Sequence, residues 1–127
     1  MNDANGFSFG FENLEVWQRA VEFAGAIYAL TKGFPREEMF GLTTQLRRAG
    51  VSVAANIAEG VSRSSGREQA RFFEFSYGSL NEIATMLHIA LGQGMIKADD
   101  LARARAEISR IGRMLSGLKR SAVGEAR

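Results

Sequence analysis

The sequence predicts an all-α protein, folded as an antiparallel up-down-up-down four-helix bundle. Three observations carry this. Apolar residues recur at helical spacing through four long segments. Those segments are divided by short breaks built from Gly, Pro and Ser. No stretch alternates as a half-buried strand would. Short connections favour antiparallel neighbours. With 127 residues, 46% hydrophobic and 24% charged, the chain suits one domain whose core needs no cross-links. Residues 1–13 read as an N-terminal tail, 14–120 as the bundle, and 121–127 as a flexible C-terminal tail.

In the tail, Phe7, Phe9 and Phe11 alternate. Leaving them wet is unfavourable, so the tail is expected to dock as an extended segment. A first helix is predicted from about Leu14 to Thr31, with Val16, Trp17, Ala20, Val21, Phe23, Ala24, Ile27 and Leu30 on a broad apolar face. Lys32-Gly33-Phe34-Pro35 ends it. Pro35 fits the first turn of a second helix, and Glu37 and Glu38 complement its positive end. That helix is expected to reach about Val61. Ser65 followed by Glu68 matches a capping box for a third helix over about Arg67 to Gln93. Gly92-Gln93-Gly94 closes it, and Asp99 is the candidate N-cap of the fourth. Leu101, Ala104, Ile108, Ile111, Leu115 and Leu118 then form a bundle seam.

The second helix organises the rest. At about 100° per residue, Leu42, Leu46, Ala49, Val53, Ile57 and Gly60 share one face. Arg47, Val51, Ala54, Ala55 and Ala58 share another, made mostly of small residues. A surface helix needs one apolar stripe, so two stripes predict cover from two sides. Val51, Ala54, Ala55 and Ala58 are therefore the expected oligomer interface. Gln45, Arg48, Ser52, Asn56 and Glu59 form a third, polar stripe, expected to be partly buried and to satisfy itself.

The chemistry-bearing residues exclude more than they suggest. There is no Cys, so disulfides and thiolate metal sites are absent. His88 is the single histidine and lacks companions at ligand or catalytic spacing. Ser64-Ser65-Gly66 does not make a phosphate-binding loop. No catalytic site, metal site or cofactor is expected. No apolar run reaches membrane-spanning length and the N-terminus lacks a signal-like core, so a cytoplasmic protein without membrane contact is expected.

Net charge is +2 but uneven. Residues 101–127 hold seven basic and two acidic side chains, and residues 1–100 hold nine and twelve. Arg63, Arg67 and Arg71 cluster at the start of the third helix, and Arg110, Arg113, Lys119 and Arg120 lie on the fourth. These seven are the candidate nucleic-acid contacts, repeated by oligomerisation into an avid surface. Phe72, Phe73, Phe75 and Tyr77 sit nearby; core packing is their default, and an exposed subset beside arginines suits base stacking. The alternative is an oligomeric scaffold for a protein partner.

A set of spaced residues adds a resemblance. Trp17-Gln18, Tyr28, Phe34-Pro35, Phe40-Gly41-Leu42, Gln45-Leu46-Arg47-Arg48-Ala49, Ser52-Val53 and Asn56-Ile57-Ala58-Glu59-Gly60 are followed in register by Gly78-Ser79-Leu80 and Glu82. From about Leu14 to Leu118 the chain resembles the four-helix-bundle proteins named for open reading frames in intervening sequences of large-subunit ribosomal RNA genes. The resemblance implies an antiparallel bundle and a ring-like homo-oligomer, a pentamer. A more distant similarity, to the accessory protein of diversity-generating retroelements, implies work beside a reverse transcriptase and RNA. Ala54 stands where such proteins often have Pro, which removes the reason for a kink there.

Overall fold

The computed structural model describes residues 9–124. Four helices form: α1 (Glu15–Thr31), α2 (Leu42–Ser62), α3 (Gly66–Gly92) and α4 (Ala98–Ala122). Among the described residues there is no strand. Helices adjacent in sequence pack on one another, and α1 and α4 close the bundle along the thinnest of its four seams. Cross-links between them run antiparallel. Arg47 near the start of α2 reaches Thr31 at the end of α1, and Ser76 of α3 reaches Val53 of α2. Lys119 near the end of α4 meets Glu74 near the start of α3.

The core follows the apolar stripes read from the sequence. Ile27 of α1, Leu46, Val53 and Ile57 of α2, Leu80, Ile83 and Leu87 of α3, and Ile111 and Leu115 of α4 are almost fully buried. Each such side chain stabilises the fold by about 1.5–3 kcal/mol relative to exposure. On α4, Leu101, Ile111 and Leu115 are buried, while Ala104, Ile108 and Leu118 pack half-buried against the same cluster. α2 runs unbroken through Ala54.

Helix boundaries differ from expectation where local chemistry competes. Pro35 does not open α2. Arg36–Glu38 is instead a single 3₁₀ turn, and α2 starts seven residues after Pro35, at Leu42. The Glu38 carboxylate turns back to accept the Leu42 N–H at 3.1 Å, capping the helix from four residues upstream. Asp99 is not the N-cap. Lys97 takes that position, and its backbone N–H donates to Asp100 Oδ2 at 2.9 Å. The Ser65 cap does form, its hydroxyl oxygen accepting the Glu68 N–H at 3.1 Å. In the tail, Gly10–Asn13 is a 3₁₀ turn and not an extended segment. It sets Phe11 on Trp17 at 5.2 Å between ring centroids, with Phe9 stacked on Phe11 at 5.4 Å. Phe7 lies outside the described residues.

The segment Asn56-Ile57-Ala58-Glu59-Gly60 has a packing explanation. Ile57 is in the core. The Asn56 amide donates to the Ser52 carbonyl and hydroxyl, both at 2.9 Å. Glu59 pairs with Arg63 one turn on. Gly60 admits the Phe73 ring: a Cβ there would lie 2.6 Å from Phe73 Cε1 and 3.2 Å from the Gln69 carbonyl oxygen. Gly50 also faces α1, but a Cβ there would make only an ordinary contact with the Ala24 Cα, at 3.5 Å. The close approach of α2 and α3 also lets the buried Ser76 hydroxyl donate to the Val53 carbonyl at 2.7 Å.

Gly60→Ala is expected to destabilise the protein by about 1–3 kcal/mol, because the buried Phe73 ring must move. Gly78→Ala, in the middle of α3 with open space around it, is expected to stabilise by about 0.5–1 kcal/mol through helix propensity. Urea midpoints of the two variants measure both signs. Equal shifts in one direction contradict the packing account of Gly60.

Candidate nucleic-acid interface

Antiparallel packing brings the two basic groups to one end of the bundle. The end of α4 fits against the start of α3 because Gly66 has no side chain: a Cβ there would fall 1.8 Å from the Ala122 carbonyl oxygen. The Lys119–Glu74 pair at 2.6 Å fastens the same junction. Arg63, Arg67 and Arg71 therefore share an end with Lys119 and Arg120, while Arg110 lies nearer the middle of α4.

The seven residues are not electrostatically equivalent. Arg63 pairs with Glu59 and lies over the Phe72 ring at 4.7 Å. Arg71 sits 3.7 Å from Glu68 and 5.5 Å from the Phe75 centroid. Phe72 and Phe75 meet edge to face at 5.5 Å, making a ladder of alternating cations and rings. Each exposed ion pair contributes at most about 1 kcal/mol, but it reduces the charge offered to an incoming anion. Lys119 is likewise engaged by Glu74. In contrast, Arg67, Arg110, Arg113 and Arg120 have no carboxylate within ion-pair distance among the described residues. Arg113 donates to the Ser109 hydroxyl at 2.8 Å.

Arg113 and Arg120 line a groove between α3 and α4, in a cavity of about 330 Å³ with Tyr77, Asn81, Ser109, Gly112 and Ser116. A second cavity of about 290 Å³ continues it and shares Tyr77, Asn81 and Ser116. Tyr77 is the divider between them. Its ring packs on the α4 backbone at Gly112, where a Cβ would stand 3.3 Å from Tyr77 Cε2. The groove thus offers guanidinium groups, hydroxyls, an amide and an aromatic ring, with the Glu74–Lys119 pair lining its second cavity. The sequence placed Tyr77 in the apolar surface of α3, with core packing as the default and base stacking open to an exposed subset of its aromatic group, and gave no role to Asn81, Ser109 or Ser116. The signal was the pairing of Gly112 with a Tyr across two helices, which one-dimensional spacing does not reveal.

The polar stripe of α2 divides. Ser52 and Asn56 are half-buried and joined to α3 by the Ser79 hydroxyl, 3.0 Å from the Ser52 hydroxyl. Gln45, Arg48 and Glu59 are exposed, contrary to the expectation of partial burial. Gln45 and Arg48 border an open α2–α3 groove of about 590 Å³, because Asn81, Glu82 and Thr85 opposite them turn to solvent. On the other side of α2, Val51 is 48% exposed, Ala55 is exposed, and Ala54 and Ala58 are half-buried. This flank continues onto α1 through Val21 and Tyr28, both 43% exposed. Arg47 lies over the Tyr28 ring at 4.7 Å and donates to the Thr31 hydroxyl at 2.8 Å.

No cluster of three or more His, Cys, Asp or Glu with metal-binding geometry exists among the described residues. His88 Nε2 lies 2.9 Å from Arg105 Nη1, so that nitrogen accepts. Arg19, hydrogen-bonded to Glu15 and near Glu107, is held above its ordinary value and stays charged. No described helix is long and apolar enough to cross a membrane.

A solved structure shares this architecture. It is a protein of unknown function from the S23 ribosomal protein family of Bacteroides thetaiotaomicron, with a TM-score of 0.73 and 20% identity. The match covers 82% of this chain and 97% of that one, and at this identity it speaks to fold alone. No curated protein matches the sequence. The family model of the 23S rRNA-intervening sequence protein, however, matches residues 12–117, from the tail turn through most of α4, and the chain belongs to that family.

Proposed function

We propose that this protein is a non-enzymatic homo-oligomer, a pentamer as the resemblance implies, that binds RNA or DNA through basic surfaces repeated around the ring. The observation that carries the reading is the α3–α4 groove, where Arg113 and Arg120 face solvent without carboxylate partners and Arg67 stands at the same end. Guanidinium groups beside hydroxyls and an amide suit phosphate oxygens. A few such interactions per subunit bind weakly alone and gain strength when several engage one strand. Arg63, Arg71 and Lys119 contribute less, since each already has an anion. Assembly through the α1–α2 flank is supported by Val21, Tyr28, Val51 and Ala55, apolar side chains left to water in the single chain.

A second reading, a scaffold for a protein such as a reverse transcriptase, draws on the same compensation of Arg63, Arg71 and Lys119. Under that reading the apolar Phe40, 95% exposed, and Ile89, 51% exposed, suit a protein partner better than a nucleic acid.

Fluorescence anisotropy with a labelled oligonucleotide tests the first reading. Affinity is expected to fall steeply as salt rises. Replacing Arg113 and Arg120 together by Ala should weaken binding and lower the salt slope by about one for each phosphate no longer engaged. The Arg63→Ala, Arg71→Ala pair should do less. Absence of binding at low salt rejects the nucleic-acid reading and favours the scaffold.

Ala55→Glu places a charge in the proposed subunit interface while leaving the core untouched. Light scattering should report a smaller particle than wild type, with helical circular dichroism retained. A wild-type monomer at micromolar concentration overturns the assembly.

A further inference from the structure

We infer that the α3–α4 groove takes a single-stranded nucleic acid, with one unpaired base stacked on Tyr77 and the flanking phosphates held by Arg113 and Arg120. This rests on the nucleic-acid reading above and names the form of the ligand.

Three features of the groove select a single strand. The first is Tyr77. It is 43% exposed, and the other large apolar side chains left open on α3, Phe75 and Ile89, are not among those that line the groove. The ring lies against the α4 backbone at Gly112, which holds one edge and leaves the rest in the groove. A half-open ring fixed on a rigid surface is a stacking platform, and any base offers it a face. The second feature is the placement of charge. Arg113 and Arg120 are seven residues apart on α4, about 10 Å along its axis; Arg113 stands beside Gly112, where the ring lies, and Arg120 two turns further on. Neither is held by a carboxylate among the described residues; Ser116 stands between them on α4, and Asn81 and Ser109, the latter already accepting from Arg113, add neutral hydrogen-bonding groups to the groove. The third feature is width. The α3–α4 cavity of about 330 Å³ has room for a base or a stretch of sugar–phosphate chain, whereas a duplex is too wide to enter it. A duplex would meet only the rim arginines, with its bases stacked inside, and Tyr77, Asn81 and the serines would be unused.

The Arg63–Phe72–Phe75–Arg71 ladder is a weaker platform. Each of its rings already carries an arginine, although Phe75 keeps 46% exposure, and those arginines are engaged by Glu59 and Glu68.

The test is anisotropy at fixed salt, with a labelled pyrimidine single strand and a duplex of the same length as probes. The full-length wild type should bind the single strand at least about tenfold tighter. Tyr77→Ala should weaken single-strand binding by about tenfold or more and leave duplex binding unchanged, in keeping with the worth of one base stack. Tyr77→Phe, which keeps the ring, should bind as wild type. A strand with abasic sites should bind wild type as poorly as the intact strand binds Tyr77→Ala. Because Tyr77 is exposed, circular dichroism is expected to show unaltered helix in both variants. If binding persists and depends on Arg113 and Arg120 while Tyr77→Ala changes nothing, or changes both probes equally, the single-strand inference falls and the nucleic-acid reading stands. If neither probe binds at low salt, both fall.

Discussion

The structure depends on how closely α2 and α3 approach. Large side chains on both helices would hold them apart; here glycine and serine occupy the interface. Gly60 receives Phe73, Ser76 reaches the Val53 carbonyl, and Ser79 meets Ser52. A hydroxyl on a neighbouring backbone carbonyl satisfies a buried polar group without a charge in the core. It also fixes register, because a slip of one residue would strand that hydroxyl among Ile57, Leu80 and Ile83. Fixed register here sets where α3 begins relative to α4, and hence which cations become neighbours.

That placement decides the electrostatics. Seven basic residues at one side of a bundle look like a phosphate-binding surface in a charge count. Their partners divide them. Around the turn between α2 and α3, residues 59–71 hold two acids against three bases, and i,i+3 or i,i+4 geometry lets Glu59 and Glu68 find Arg63 and Arg71. The outer side of α4 has Ser109, Ser116 and Gly117 at the corresponding spacings, so Arg113 and Arg120 have no such internal anion. The strength of this surface comes from what α4 lacks, acids one turn from its arginines, more than from the number of its cations.

The four helices and their core faces were legible because 3.6-residue periodicity is a direct consequence of burying one side of a helix. Leu46, Val53 and Ile57, and the α4 positions Leu101, Ile111 and Leu115, needed no further information. The starts of α2 and α4 were less legible. A Glu reaching forward four residues, or an Asp bonding the N–H of Lys97, competes with Pro35 and Asp99 on terms of about a kcal/mol, which spacing does not rank. The groove was hidden for a different reason. Tyr77 belongs to an apolar series on α3, and only the absence of a side chain at Gly112 on another helix turns its ring into a wall of a polar cleft.

The two uncovered surfaces are compatible because of chain order. When consecutive helices pack as neighbours around a bundle, the α1–α2 pair and the α3–α4 pair form opposite sides. The first side exposes Val21, Tyr28, Val51 and Ala55, and the second exposes arginines, serines and one tyrosine ring. Subunits joined through the apolar side would leave the α3–α4 groove open, so the proposed assembly and the proposed ligand would not compete for area. Had the same residues been divided between adjacent sides, each subunit interface would have covered part of a groove, and repetition around a ring would have removed the avidity it is meant to supply.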